Sequence, residues 1–201
     1  WLETGLPIVL VNRTDEFGRA PAIVTDDLRG IALAVRHLVD LGHKRIAHIA
    51  GPDSLSTGAL RLRGFTLACS ELSIPKTKNS IVRAKAFTRE AGRAACLELL
   101  AKSLNITAIV AGNDMIALGC YDAFAEKGIA CPKDISVTGY NDAPFVDLVS
   151  PPLTTVRFDQ REMGLEAGRI LLGRLAGHNA VADILLRPVF INRRSTSAPR
   201  R

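Results

Sequence analysis

The stretch that decides the fold runs Thr107-Ala108-Ile109-Val110-Ala111-Gly112-Asn113-Asp114, continues through an apolar segment to Lys127-Gly128, and closes with Asp134-Ile135-Ser136-Val137-Thr138-Gly139-Tyr140-Asn141-Asp142. Residues 107–111 are a short continuous apolar run, the mark of a strand buried on both faces. Asn113 can cap the helix that follows, and Gly128 offers the left-handed residue that stops it. Residues 135–138 predict a second strand. Strand, helix and strand in this order make a parallel βαβ unit. In open parallel sheets the ligand crevice lies outside the carboxyl ends of the strands. Asn113-Asp114 and Asn141-Asp142 stand at those ends, one pair after each strand.

The same alternation extends in both directions. Strands are predicted over 7–11, 20–25, 45–50 and 80–84, and helices over 27–41, 57–71 and 88–102. The run Pro7-Ile8-Val9-Leu10-Val11 reads as fully buried, and Asn12 to Glu16 as the polar loop after it. Asp26 or Asp27 can cap the first helix, which stops at Gly42. Downstream come an aperiodic loop closed by Pro151-Pro152, an extended segment 154–158 and a helix 159–175 ending at Gly177. A last strand pair or hairpin arm spans 184–192, interrupted by Pro188. The class is α/β with parallel sheets.

With 201 residues, 47% of them hydrophobic, the chain can bury a substantial core. The formal net charge of +6 suggests nucleic acid until its location is considered. Arg187, Arg193, Arg194, Arg200 and Arg201 lie in a terminal stretch that contains no acid, so the remainder is nearly neutral. That stretch is expected to be a solvated tail rather than a DNA-binding device. Cys69, Cys96, Cys120 and Cys131 are scattered without a C-x-x-C spacing, which predicts free thiols in a reducing cytoplasm. Trp1 to Gly5 lacks the basic start and apolar run of a signal peptide, and the absent initial Met suggests part of something longer. No apolar run approaches the ~20 residues of a membrane span.

Motifs of catalysis are missing: no G-x-G-x-x-G, no phosphate-binding G-x-x-x-x-G-K-[ST], no G-x-S-x-G and no H-E-x-x-H. His37, His43, His48 and His178 are not at metal-ligand spacing, and structural hydrogen bonding is expected of each. The chain does not read as an enzyme, and neither a cofactor nor a metal is implied.

Side chains that follow the strands do assemble. After the first strand come Asn12 and Arg13; after 45–50 come Thr57 and, one turn on, Arg61. Phe87 follows 80–84, Asn113 follows 107–111, and Asn141 follows 135–138. Amides and guanidinium groups that bridge hydroxyls, with an aromatic face for ring C–H groups, suit a small polyhydroxylated ligand. Taken singly, Asn113 and Thr57 could be helix caps, Arg61 a solvated helix residue and Phe87 core. Their convergence on one edge favours binding.

These residues carry a resemblance. The chain is similar to the effector-binding region of the lac/gal repressor family of bacterial transcription regulators. The likeness rests on His37-Leu38, Leu41-Gly42-His43-Lys44-Arg45-Ile46-Ala47, Gly51-Pro52, Arg61 with Gly64-Phe65, and Asn113-Asp114 with Ala117-Leu118-Gly119. It continues in Asp134-Ile135-Ser136-Val137, Gly139-Tyr140-Asn141-Asp142 and Pro151-Pro152-Leu153-Thr154-Thr155-Val156, and covers residues 6–192.

The resemblance implies a periplasmic-binding-protein-like fold: two Rossmann-like lobes with parallel sheets, joined by three crossing strands, with the effector between them. The first lobe is expected to be incomplete, built from 1–27 and 158–192. The second spans 28–157, and 193–201 is the basic tail. Ligand contacts would fall on Asn12, Arg13, Thr57, Arg61, Phe87, Asn113 and Asn141, with Phe158 on a crossing strand. The implied partners are a sugar, sugar acid or phosphosugar, a second copy of the chain, and operator DNA through a helix-turn-helix that this sequence lacks. Residues 115–127 and 143–150 would pair two copies, with Met115, Leu118, Tyr121 and Ala125 as contributors. The family commonly has Gly-Tyr-Asp-Asp where this chain has Gly139-Tyr140-Asn141-Asp142. The lost carboxylate, with Arg61 and Arg13 nearby, predicts a more acidic effector. Asp27 stands where the family often has Asn. The alternative reading is a periplasmic sugar-binding protein of a transport system, which shares the fold.

Overall fold

The computed structural model describes residues 6–15, 17–75, 80–102, 104–178 and 183–200. Trp1 to Gly5, Glu16 and Arg201, named above, lie outside that set. The chain divides into two units, one of residues 1–26 and 158–188, the other of residues 27–157 and 189–201.

The larger unit holds a four-stranded parallel sheet. Numbering elements along the chain, β1 is Leu10–Val11, β2 Ala22–Thr25, α1 Asp27–Asp40, β3 Ile46–Ala50, α2 Ser56–Glu71, β4 Ile81–Arg83 and α3 Arg89–Ala101. Then come β5 Ala108–Ala111, α4 Asp114–Lys127, β6 Ser136–Thr138, β7 Thr155–Arg157, α5 Gln160–Leu175, β8 Ile184–Leu186 and β9 Val189–Ile191. The sheet order is β4-β3-β5-β6. Every residue of β3, β5 and β6 is buried, because helices cover both faces. Ala47, Ile49, Ile109, Ala111 and Val137 pack with Cys96, Leu99, Ile116, Cys120 and Phe124 of α3 and α4. Side chains of alternate parity face the other way: His48 stacks on Phe65 of α2 with ring centroids 4.8 Å apart. His48 Nδ1 donates to the Val110 carbonyl at 2.7 Å, and full burial depresses its pKa to about 4, so it is neutral at pH 7.

Helix contacts are set by glycine. A Cβ on Gly92 would strike the Ile116 backbone at 2.6 Å, and one on Gly119 would overlap the backbone of Arg89 and Arg93. Thus α3 and α4 touch main chain to main chain. Above that crossing lie the ion pairs Arg89–Asp122 and Arg93–Glu126. Thr88 caps α3, Asn113 caps α4, and Gly128 at φ +66° ends α4. Thr57 is not a helix cap, the alternative open to it from the sequence: Leu55 holds the cap position of α2 without a side-chain bond, and Thr57 is already inside the helix.

The smaller unit has a parallel sheet β1-β2-β8 against which α5 packs. Asp159 caps α5 through the Glu162 N–H at 2.8 Å. The run 7–11 is not the fully buried strand expected. Only Leu10 and Val11 enter the ladder, pairing with β2 alone, and Val11 is exposed, as an edge position allows. The hairpin arm predicted over 184–192 is two strands in different sheets. β8 pairs with β2, while β9 pairs antiparallel with β7, so Pro188 marks a change of sheet.

The basic tail is corrected as well. Residues 193–200 are not a free solvated tail; although Arg194, Ala198 and Arg200 are exposed, the segment straps the larger unit. Ser195 Oγ accepts from the Thr154 N–H at 2.8 Å and donates to the Val137 carbonyl at 2.6 Å. Val137 N–H donates to the Ser195 carbonyl. His37 Nε2 meets Thr196 Oγ1, and His43 Nε2 donates to the Ser197 carbonyl. Arg200 pairs with Asp134 at 2.7 Å. Counting charge along the sequence finds no acid near the tail; the fold supplies Asp134 and a row of carbonyls. The four cysteines are free, with Cys131 half-buried and the rest buried. Among the described residues no helix is long and apolar enough to cross a membrane.

Candidate functional site

At the carboxyl edge of the four-stranded sheet, each strand delivers one of the expected side chains. β3 ends in Ala50-Gly51, and the Phe87 ring lies so close over Gly51 that a Cβ there would overlap it. Gly112 after β5 approaches Gly51 N to within 2.9 Å of where its Cβ would stand. Small residues therefore let the strand ends close up beneath the aromatic ring. Thr57, in the first turn of α2, is buried.

Arg61 is only 2% exposed. Its Nε donates to Asp27 Oδ1 at 2.9 Å and its Nη1 to the Gly112 carbonyl at 2.9 Å. The guanidinium carbon lies 3.8 Å from the centre of the Tyr140 ring and 5.9 Å from that of Phe87. Buried cations persist only when paired and hydrogen-bonded, and Arg61 is both. It is thus no solvated helix residue. Asp27, the departure noted in the sequence, is its partner.

Asn113 Oδ1 accepts from Ile116 N–H at 2.9 Å, the capping geometry. Asp114 beside it is buried and joins three segments. Its N–H donates to the Tyr140 carbonyl, its Oδ2 accepts from Ala143 N–H at 2.7 Å, and its Oδ1 accepts from Thr155 Oγ1 at 2.6 Å. Burial raises its pKa to about 6 despite those two donors.

Asn141 and Asp142 follow β6 with φ of +114° and +54°, a conformation that favours glycine and is costly for other residues. Asn141 N–H bonds the Val156 carbonyl at 2.8 Å. Asp142 Oδ2 accepts from Arg157 Nε at 2.6 Å and Oδ1 lies 2.7 Å from Arg193 Nη1. Burial pushes the Asp142 carboxyl up, but the two guanidinium groups outweigh it and hold its pKa below the usual range.

Thr57, Arg61, Phe87, Asn113 and Asn141 therefore share one sheet edge. Asn12, Arg13 and Phe158 belong to the smaller unit. Asn12 ends β1 at φ +56°, and its side-chain oxygen is buried with no hydrogen-bond partner among the described residues. Arg13 Nη1 donates to the Asn12 carbonyl. Phe158 is buried just past β7. Asp27 and Tyr140, which hold Arg61, were not expected from the sequence to be site residues; Asp27 lies 34 positions from its partner, and no local pattern joins them. Among the described residues no cluster of three or more His, Cys, Asp or Glu side chains could hold a metal.

Residues 35–196 match the periplasmic-binding-protein-like domain family. The chain belongs to that family. It is 38% identical to an HTH-type transcriptional regulator from the aml 5′ region of Streptomyces limosus, over 97% of this chain and 56% of that protein. It is 37% identical to the HTH-type regulator MalR of Streptomyces coelicolor, over 97% of this chain and 58% of MalR. This chain thus spans little more than half the length of these curated relatives. Among solved structures, a LacI-family regulator from Mycobacterium smegmatis superposes with a TM-score of 0.91 at 29% identity, covering 98% of this chain and 73% of that one. A complex of the regulator CelR with cellobiose gives 0.90 at 28%, covering 96% and 60%. A LacI-family regulator of Enterococcus faecium with bound ribose gives 0.85 at 29%, covering 98% and 73%. Within its family, the chain corresponds to the effector-binding region of lac/gal repressors.

Proposed function

We propose that this chain is the ligand-sensing domain of a DNA-binding transcription regulator, a repressor, and that it takes a small polyhydroxylated effector at the carboxyl edge of β4-β3-β5-β6. One observation carries the reading: successive strand ends present Thr57, Phe87, Asn113 and Asn141 to the same edge, around a buried Arg61. Amides can bridge adjacent hydroxyls and Phe87 can cover a ring face. Asn12, Arg13 and Phe158 are the further contacts that the family likeness supplies. The cellobiose and ribose complexes of two relatives support the ligand class.

The pairing of Arg61 with Asp27 narrows that class. A guanidinium already neutralised by a carboxylate brings no net charge to a ligand, so the sequence-based preference for an acidic effector gives way to a neutral saccharide. Arg13 donates to the Asn12 carbonyl, a neutral acceptor, so the preference for a neutral effector rests on the Arg61–Asp27 pair. Effector binding would be coupled to operator affinity, in the longer protein, by about 1–3 kcal/mol. Two copies would pair in the cytoplasm through the 143–150 loop, where Phe145 and Leu148 are exposed. Leu118, one of the expected contributors, is buried and drops out of that face.

The transport-protein reading has the fold in its favour but lacks a relative of that kind among those described. A thermal-shift screen of neutral sugars, sugar acids and purines tests the proposal. A ligand at 100 times its Kd stabilises by ~2.7 kcal/mol, and the expected hit is a neutral saccharide. A panel of sugars that shifts nothing, or a response to sugar acids alone, contradicts it.

A further inference from the structure

The chain passes between the two units at three places: 26/27, 157/158 and 188/189. On the larger unit's side these crossings are marked by Asp27, by β7 ending at Arg157, and by β9 beginning at Val189 with Arg193 just beyond. β7 and β9 pair with each other, Arg157 opposite Val189. One carboxylate, Asp142, holds both segments. Its two oxygens meet Arg157 Nε at 2.6 Å and Arg193 Nη1 at 2.7 Å. The same Arg193 nitrogen donates to the Leu153 carbonyl at 2.8 Å, and Arg193 N–H donates to Thr154 Oγ1 at 3.0 Å. The Asp142 side chain is 7% exposed and that of Arg193 17%, so solvent screens their attraction weakly.

Asp142 is also the neighbour of Asn141. Both residues sit at positive φ, and the backbone of Asn141 bonds that of Val156 in β7. Two consecutive residues in this region would relax unless their surroundings fixed them. Three hydrogen bonds and an ion pair do so here: Asn141 to Val156, Ala143 to Asp114 and Arg157 to Asp142, with Arg193 paired to Asp142 Oδ1. A shift at the Asn141 side chain therefore has a short rigid route to β7 through its own N–H, and through the Asp142 carboxylate to both Arg157 of β7 and Arg193 beyond β9. At the remaining crossing, Asp27 is tied in the same manner to Arg61.

We propose that Asp142 is a positioning residue that locks the conformation of the 139–142 loop to the crossing strands β7 and β9. Its use in signalling rests on the effector reading above, since only a ligand at Asn141 would work the loop. The lock itself exists without a ligand and can be tested without one. In the full natural protein, amide hydrogen exchange is followed over 154–157 and 189–194 in a double-mutant cycle. Asn141→Gly loosens the loop at no steric cost. It is expected to speed exchange in both segments at least fivefold when Asp142 is present, and less than twofold in an Asp142→Asn background. Asp142→Glu, which keeps the carboxylate, should restore part of the response. Arg157→Met, removing one of the two donors, provides a milder background if Asp142→Asn does not fold. Exchange over 46–50 in β3 should stay unchanged, which separates the lock from global loosening. Equal responses to Asn141→Gly with and without the carboxylate overturn the proposal, as does no response in the wild-type background. Failure of every saccharide to bind would count against the effector reading alone.

Discussion

At the scale of single residues, the larger unit depends on two buried charges with different bookkeeping. Arg61 and Asp27 are each about fully buried and bonded to one another. Replacing Arg61 with Met leaves the Asp27 carboxylate unpaired, a loss of about 3–5 kcal/mol. Urea denaturation should show it, and adding Asp27→Leu should recover part of the loss, because the pair rather than either residue is what the core accommodates. Arg61→Lys should not rescue, since one ammonium cannot reach both Asp27 and the Gly112 carbonyl as the guanidinium fork does.

Asp114 predicts a pH dependence. Its folded pKa of about 6 lies above the ordinary 3.8. The protonated form is favoured in the fold, so its contribution is fully present below pH 4 and is lost as pH rises through 6. The span corresponds to roughly 3 kcal/mol. His48 slopes the other way: its folded value of about 4 lies below 6.5, so its contribution is present above 6.5 and lost as pH falls. The wild-type profile sums both. The difference between wild type and Asp114→Asn isolates the first, and it should fall between pH 4 and 6 and be flat above. A difference that is flat throughout contradicts the assignment.

At the scale of elements, two contacts should be sensitive to a single atom. Gly119→Ala puts a methyl group into the α3 backbone and should cost at least 1–3 kcal/mol as the helices part. Ser195→Ala removes the hydroxyl that serves both Thr154 N–H and the Val137 carbonyl. With both left buried and unsatisfied, about 2–3 kcal/mol should be lost in denaturant melts. These elements also show what the sequence could and could not disclose. Strand 108–111 was legible because burial on both faces leaves an unbroken apolar run, whereas 46–50, interrupted by His48, and 136–138, Ser-Val-Thr, were legible mainly from their place in the strand–helix alternation. The strap 193–200 was not, because its partners are carbonyls and one aspartate brought in by the fold. Arg61 was legible as a residue at the edge but not as an ion pair, and although Asn and Asp tolerate a positive φ better than other side chains, the pair alone does not say that both adopt it.

At the scale of the whole molecule, family membership and the shared sheet edge support the proposal of a sensor whose strand ends would contact a neutral saccharide and whose loop 139–142 would be locked to the crossing strands. The most direct test is titration calorimetry of cellobiose and ribose against wild type, Phe87→Ala and Asn141→Gly, with Glu98→Ala on the exposed face of α3 as control. Asn141→Gly removes the amide and also loosens the loop, so its lost affinity is read beside that of Phe87→Ala, which leaves the loop backbone unchanged. The account predicts binding of at least one of these sugars, with at least a tenfold weaker Kd, about 1.4 kcal/mol, in both site variants and none in the control. Saccharide binding that is indifferent to Phe87 and Asn141 would contradict it.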